Sequence, residues 1–218
     1  MGLFDELEGS RTVERIRRTL RGFGDDPSSS RLRVVTGDAL DPGVPGHRAA
    51  LLSWLRSWGC RHLRVADTGR SSRALASWWR AYGSALPTPT RTLVDLSDGE
   101  VFAAATAYVA LATRPAARRA AATGPVSVSF GETAAAKALF AIRPLAFPPW
   151  DAPIRVALGL EGEAGYRSYL EQVAGALRVL GVRLGLPVPD VPAALGRPGS
   201  SPPRLVDEYL WMRVNRDA

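Results

Sequence analysis

The sequence predicts an all-α protein, an irregular bundle of about eight or nine short helices. Two observations carry this prediction. Apolar residues recur at helical spacing in most segments, whereas the alternation typical of strands is nearly absent. The 17 prolines and 21 glycines divide these periodic segments into short units. With 218 residues and a hydrophobic fraction of 46%, the chain can bury a substantial core.

In the N-terminal part, helices are predicted where apolar spacing of about 3.6 residues ends at a glycine. These helices cover 3–23, 47–58 and 69–82. The segment RLRVV, at 31–35, is the best strand candidate in the chain. Its β-branched pair follows a polar loop, so a short extended segment is expected there.

The C-terminal part begins with a capping-box pattern, in which Ser97 and Glu100 can each bond the other's backbone N–H. The helix that follows is expected to end near Arg114. Further helices are predicted over 115–122, 132–142, from 151, over 163–184 and over 204–214. The proline-rich segment 185–203 is predicted to be a surface loop. A weak boundary near 86–96 divides the chain into regions 1–90 and 91–218, or the two form one compact domain.

Net charge gives the first indication of a partner. The formal charge is +7 and the pI is about 10.4, values typical of proteins that meet polyanions. Residues 1–80 hold much of the arginine. The charge therefore predicts a polyanionic partner, with a merely solubilising role of the charge as the alternative. It does not fix the oligomeric state.

Cysteine, histidine and hydropathy exclude several classes of site. Cys60 is the single cysteine, so an internal disulfide, a four-cysteine cluster and a zinc ribbon are excluded. His47 and His62 are the two histidines, too few for a histidine-rich metal centre. We therefore expect no metal and no cofactor. The acidic N-terminus is unlike a signal peptide and no apolar run would span a membrane, so a cytoplasmic location is predicted.

Lys137 is the only lysine in a chain that otherwise uses arginine. Arginine stays protonated, whereas a lysine amine can lose its proton and act as a nucleophile. The alternative is a solvated residue on an alanine-rich helix. Asp151 follows 14 residues later, at the start of the next predicted helix. It is expected to cap that helix, to present a carboxylate beside Lys137, or to do both.

The segment GETAAAKALFAIRPLAFPPWDAPIRVALG resembles the catalytic segment of the helix-hairpin-helix base-excision DNA glycosylases. It covers about 30 of the 218 residues. The matching positions, in chain order, are Gly131, Thr133-Ala134, Leu139-Phe140, Arg143-Pro144, Phe147-Pro148, Asp151, Ile154-Arg155 and Leu158-Gly159. The resemblance implies a multi-helix fold of the glycosylase type. It departs from the family at the hairpin, where VSVSFGE holds one glycine, so the hairpin is degenerate.

The resemblance also implies roles for individual residues. Asp151 would stabilise positive charge that develops on the sugar, and Lys137 would be the amine nucleophile, although it lies about one helical turn later than in the family. Substrate contacts are expected from Trp150, Arg143 and Arg155. Contacts with the nucleic-acid backbone are expected from Gly131 and Thr133.

Tryptophan and arginine interleave in two further segments, LLSWLRSWGCRHLRV and SRALASWWRAY. Such a mixture can stack bases and bind phosphates, but helical spacing also places Trp54 and Trp58 on a core face. The adjacent pair Trp78 and Trp79 cannot both point inward, so these two are candidate substrate contacts. Arg73 and Arg80 of the same segment are candidate nucleic-acid contacts.

The C-terminal segment LVDEYLWMRV holds Asp207 and Glu208. A paired-carboxylate function is one interpretation, and a docking helix with Leu205, Tyr209 and Met212 inward is the other. Taken with the resemblance, the sequence predicts an N-glycosidase acting on a damaged base in DNA or on a modified nucleoside or nucleotide. The alternatives are an inactive nucleic-acid-binding protein and a helical scaffold that binds a partner.

Overall fold

The structure is a computed structural model that describes residues 12–24, 27–37, 39–122 and 124–216. These ranges are mostly helical and contain one small antiparallel sheet, which confirms the predicted class at that level. The elements are α1 (Thr12–Leu20), α2 (Pro27–Thr36), α3 (Pro45–Ser57), α4 (Thr68–Tyr82), α5 (Asp98–Ala112), β1 (Pro115–Arg119), β2 (Val126–Ser129), α6 (Gly131–Ile142), α7 (Ala152–Leu158), α8 (Gly162–Leu184), α9 (Val191–Ala194) and α10 (Pro202–Arg216). The beginning of the helix predicted over 3–23 lies outside the described residues.

The strand predicted at 31–35 is wrong, because this segment lies inside α2. Leu32 and Thr36, four residues apart, face inward, whereas Val34 is 86% exposed. Residues four apart share one face of a helix. Val34 and Val35, on which the strand prediction rested, lie on the exposed side of α2. The serines before the segment and Pro27 at the first helical position suit a helix start.

The helix predicted over 115–122 is also wrong. Residues 115–119 form β1, which pairs with β2 in an antiparallel hairpin between α5 and α6. The carbonyl of Ala116 accepts a hydrogen bond from the Ser71 hydroxyl on α4, at 2.8 Å. Strand pairing and this tertiary contact override the helix propensity of the alanines.

Several boundaries agree with the sequence. The capping box at Ser97 and Glu100 is present at the start of α5, and α8 covers the predicted 163–184. The segment 185–203 is not loop throughout, since it holds a 3₁₀ turn at Val188–Asp190 and the short helix α9. Both begin with a proline near their first position, where a missing N–H costs least.

Buried side chains form one contiguous cluster that takes members from both sides of residue 90. Helix α6 lies at its centre, since its residues from Ala134 to Phe140 are all buried. It packs against α5 and α3. None of the helices in the described ranges combines the length and apolar character that a bilayer crossing demands.

Candidate functional site

Lys137 is a buried cation in the middle of α6. Its side chain is 7% exposed, which contradicts the solvated surface role considered above. The ammonium donates to the backbone carbonyl of Trp58, just after α3, at 2.7 Å. It also lies 5.5 Å from the centroid of the Trp58 ring. A buried ammonium needs such partners because desolvation disfavours the charge.

Asp151 occupies the N-cap position of α7, as predicted, but its carboxylate makes no capping hydrogen bond. An N-cap side chain normally accepts from the second or third N–H of its helix, and the second residue here is Pro153, which has none. The carboxylate points instead to Lys137, with 2.6 Å between Asp151 Oδ1 and Lys137 Nζ. Sequence reasoning thus predicted this meeting correctly.

The pair joins three parts of the fold, namely α6, the start of α7 and the end of α3. Asp151 is 24% exposed, so the carboxylate is the more accessible partner. Its second oxygen, Oδ2, has no hydrogen-bond partner among the described residues. Cys60 lies near both charges, and burial raises the pKa of its thiol to about 11, so it stays protonated at neutral pH.

A second ionic cluster lies next to the pair on α10. Arg204 binds Asp207 Oδ2 at 3.0 Å and Glu208 Oε1 at 3.2 Å, and its guanidinium lies 4.4 Å from the Trp58 ring centroid. Arg197 binds the other oxygen of Glu208 at 2.9 Å. Burial raises the pKa of Asp207 to about 7, with Arg204 opposing and Asp151 adding to the rise. The two clusters therefore interact electrostatically.

Two adjoining cavities flank the α10 cluster. One has a volume of about 310 Å³ and the other about 530 Å³, and Arg33, Phe140 and Ser201 line both. Neither is lined by Lys137 or Asp151. The exposed part of the Asp151 side chain, 24% of it, therefore lies outside these two cavities.

Arg155 connects the start of α7 to the start of α6. Arg155 pairs with Glu132 at 3.0 Å and donates to the Thr133 hydroxyl and the Trp150 carbonyl, each at 3.0 Å. Trp150 is fully buried and stacks on Tyr169, with 5.1 Å between ring centroids. In this structure Trp150 therefore presents no ring face to a substrate, and Arg155 orients the backbone on which Asp151 sits.

Gly131 begins α6 with a φ of 72°, a left-handed conformation that favours glycine. It is partly exposed, as is Thr133. Arg143 is buried, donates to the Pro87 and Ile142 carbonyls, and lies 5.6 Å from the Trp79 ring centroid. Arg143 therefore holds loops together and makes no contact with the Lys137–Asp151 pair.

Trp78 and Trp79 divide as the sequence predicts, with one inside and one partly exposed. Trp78 is fully buried and its indole donates to the Ala107 carbonyl at 2.8 Å, so it offers no surface to a substrate. Arg73 and Arg80 are exposed on α4. They lie seven residues apart, on one face of the helix.

Sequence reasoning missed the parts played by Arg204 and by the Trp58 carbonyl. The spacing of Arg204 to Asp207 and Glu208, three and four residues, places all three side chains on one helix face and is a usable signal. A backbone carbonyl leaves no such signal. Trp54 and Trp58 pack as the core interpretation has it, since their rings lie 4.2 Å apart and Phe140 stacks on Trp58.

Within the described ranges, no three His, Cys, Asp or Glu side chains are grouped as a metal site needs. The chain was also compared with protein-family models, with curated proteins and with solved structures. None of the three comparisons gives a match.

Proposed function

We propose that the chain cleaves N-glycosidic bonds, either of a damaged base in DNA or of a modified nucleoside or nucleotide, with Asp151 as the catalytic carboxylate. The observation that carries this proposal is the 2.6 Å contact between Asp151 and the single lysine, made by a carboxylate that gives up its capping role. The resemblance of residues 131–159 to glycosylases suggested this pairing.

The chemistry suits a fixed, partly exposed anion. Breaking the bond between sugar and base leaves positive charge on the sugar, and a carboxylate held in place stabilises that charge. Water supplies the hydroxyl that bonds to the anomeric carbon, and Asp151 takes its proton. The base leaves with the electron pair of the broken bond and takes a proton from solvent.

Lys137 acts in this proposal as a positioning residue. Its ammonium holds Asp151 Oδ1 and leaves Oδ2 for the reaction, and its low exposure places the amine farther from a substrate than the carboxylate. Attack by the Lys137 amine on the sugar, with a Schiff base as the product, is the alternative. It requires the side chain to leave both Asp151 and the Trp58 carbonyl.

The test is base release from lesion-containing duplexes and from modified nucleosides and nucleotides, with the wild type and Asp151→Asn. Asp190→Asn is the matched control, because Asp190 also occupies an N-cap position without a capping bond, but is exposed and far from the pair in sequence. We expect activity in the wild type and the control and a loss of about a hundredfold or more in Asp151→Asn. Absence of release from every substrate contradicts the proposal.

Borohydride trapping separates the two routes. A covalent adduct that forms with the wild type and is lost in Lys137→Arg assigns the amine as nucleophile. Release without any trapped adduct assigns the hydrolytic route through Asp151. Circular dichroism of both variants checks that the fold is retained.

A further inference from the structure

The two cavities beside α10 adjoin each other and share much of their lining. The shared residues are Ser29, Arg33, Phe140, Pro144, Gly199, Ser200 and Ser201. We call the combined space the α2–α10 cleft. Its parts, of about 310 and 530 Å³, lie in the size range of small-molecule sites.

One end of the α2–α10 cleft is cationic. Arg33, Arg197 and Arg204 line it, and Glu208 is shared between the last two. Asp207, which also binds Arg204, has a pKa raised to about 7 by burial and so carries a reduced charge near neutrality. The guanidinium of Arg33 has no ion-pair partner within the described part of the chain. This end therefore has an excess of positive charge.

The start of α10 adds hydrogen-bonding capacity at the same end. The Ser201 hydroxyl is buried and has no hydrogen-bond partner among the described residues, which is costly unless a ligand or water supplies one. The backbone at the start of α10 adds little to this, because Pro202 and Pro203 have no N–H, and the Glu208 carboxylate accepts a hydrogen bond from the neighbouring Ser200 hydroxyl at 2.8 Å.

The other end of the α2–α10 cleft is apolar and partly aromatic. Its walls are Leu32, Leu40, Trp54, Phe140, Ala141 and Leu145. Trp54 and Phe140 contact each other, with 6.2 Å between ring centroids. Aromatic walls of this kind pack well against a flat ring.

We propose that the α2–α10 cleft binds a phosphate-bearing ligand with a flat apolar group, the chemical class of the nucleoside monophosphates. The phosphate lies against Arg33, whose guanidinium can bind two phosphate oxygens, near the Ser201 hydroxyl. The flat group lies against Phe140 and Trp54. This site does not rest on the Lys137–Asp151 chemistry, since neither residue lines it.

The experiment is calorimetric titration of the full chain with adenosine 5′-monophosphate, adenosine and inorganic phosphate. We expect the monophosphate to bind at least about tenfold more tightly than either fragment, because only it fills both ends. Absence of monophosphate binding, or equal binding of inorganic phosphate, overturns the proposal.

Arg33→Gln supplies the second test, with Arg31→Gln as its control. Both arginines are exposed on α2, but Arg31 does not line the cleft. We expect Arg33→Gln to weaken monophosphate binding by about tenfold or more and Arg31→Gln to leave it unchanged. Equal binding by the two variants overturns the proposal. Both tests measure binding and not base release, so failure of the glycosidase proposal leaves this one standing.

Discussion

At the scale of single residues, Lys137 shows why one lysine remains in an arginine-rich chain. Its ammonium occupies a narrow space between Asp151 Oδ1, at 2.6 Å, and the Trp58 carbonyl, at 2.7 Å. A guanidinium can bind the same two kinds of acceptor, but it is larger and planar, so this space would have to widen to hold it. The small size of the site therefore favours an amine here, whether or not the amine takes part in catalysis.

We expect Lys137→Met to lower the free energy of unfolding by about 3 kcal/mol, because it leaves a half-buried carboxylate without its cation. The double variant with Asp151→Asn should recover part of this loss, since the remaining group is then neutral. Urea denaturation of the two variants and the wild type measures both changes. A Lys137→Met protein as stable as the wild type would show that the pair contributes nothing to folding.

Asp207 gives a pH dependence of known sign. Its pKa rises on folding from 3.8 to about 7, so between these values the folded state binds a proton that the unfolded state has lost. Stability must then fall as pH rises through this window, by at most about 1.4 kcal/mol per pH unit. The groups that act on Asp207 are Arg204, Asp151, Lys137 and Glu208.

Asp207→Asn should remove this contribution. We expect the difference in unfolding free energy between variant and wild type to move in favour of the variant as pH rises from 3.8 to about 7. Urea denaturation across that range measures it, with Asp190→Asn as an exposed control. A difference that does not change with pH would show that Asp207 titrates in the folded state as it does in the unfolded chain.

At the scale of elements, two glycines of α8 provide a matched pair. A Cβ on Gly165 would lie 2.9 Å from the backbone carbon of Leu160, whereas a Cβ on Gly175 would meet no atom within 4 Å. Gly175→Ala should therefore raise the free energy of unfolding by about 1 kcal/mol through helix propensity. Gly165→Ala should lower it, because a backbone atom cannot move aside. Thermal unfolding of the two variants measures both, and stabilisation of Gly165→Ala would contradict the packing of α8 on that turn.

The elements also show what the sequence could and could not predict. Long periodic helices with local signals, such as α5 with its capping box and α8, were predicted within a few residues. The hairpin of β1 and β2 was missed because its strands are stabilised by pairing and by the Ser71 contact, which act across the chain and not locally. The sequence suggested Lys137 beside Asp151, since both carry distinctive side chains. It did not suggest the Trp58 carbonyl that completes the contact, because every residue has a backbone carbonyl.

At the scale of the whole molecule, part of the net charge of +7 is carried by exposed arginines on two adjoining elements. Arg73 and Arg80 are exposed on α4, and Arg118 and Arg119 are exposed on the neighbouring β1. We call these four residues the α4–β1 basic surface. Helix α4 contacts β1 directly, so the four arginines belong to adjoining elements. If the chain acts on DNA, this surface is the expected contact with phosphates.

The measurement is DNA binding as a function of salt concentration. Each phosphate contact contributes about −0.9 to the slope of log K against log salt, so Arg73→Gln with Arg80→Gln should make the slope shallower by about 2. Arg18→Gln is the control, since Arg18 is exposed on α1, away from this surface in the chain. A double variant whose slope equals that of the wild type and of the control would exclude these arginines from phosphate binding. In that case a monomeric nucleoside or nucleotide becomes the favoured substrate, because release from it requires no contact with a DNA backbone.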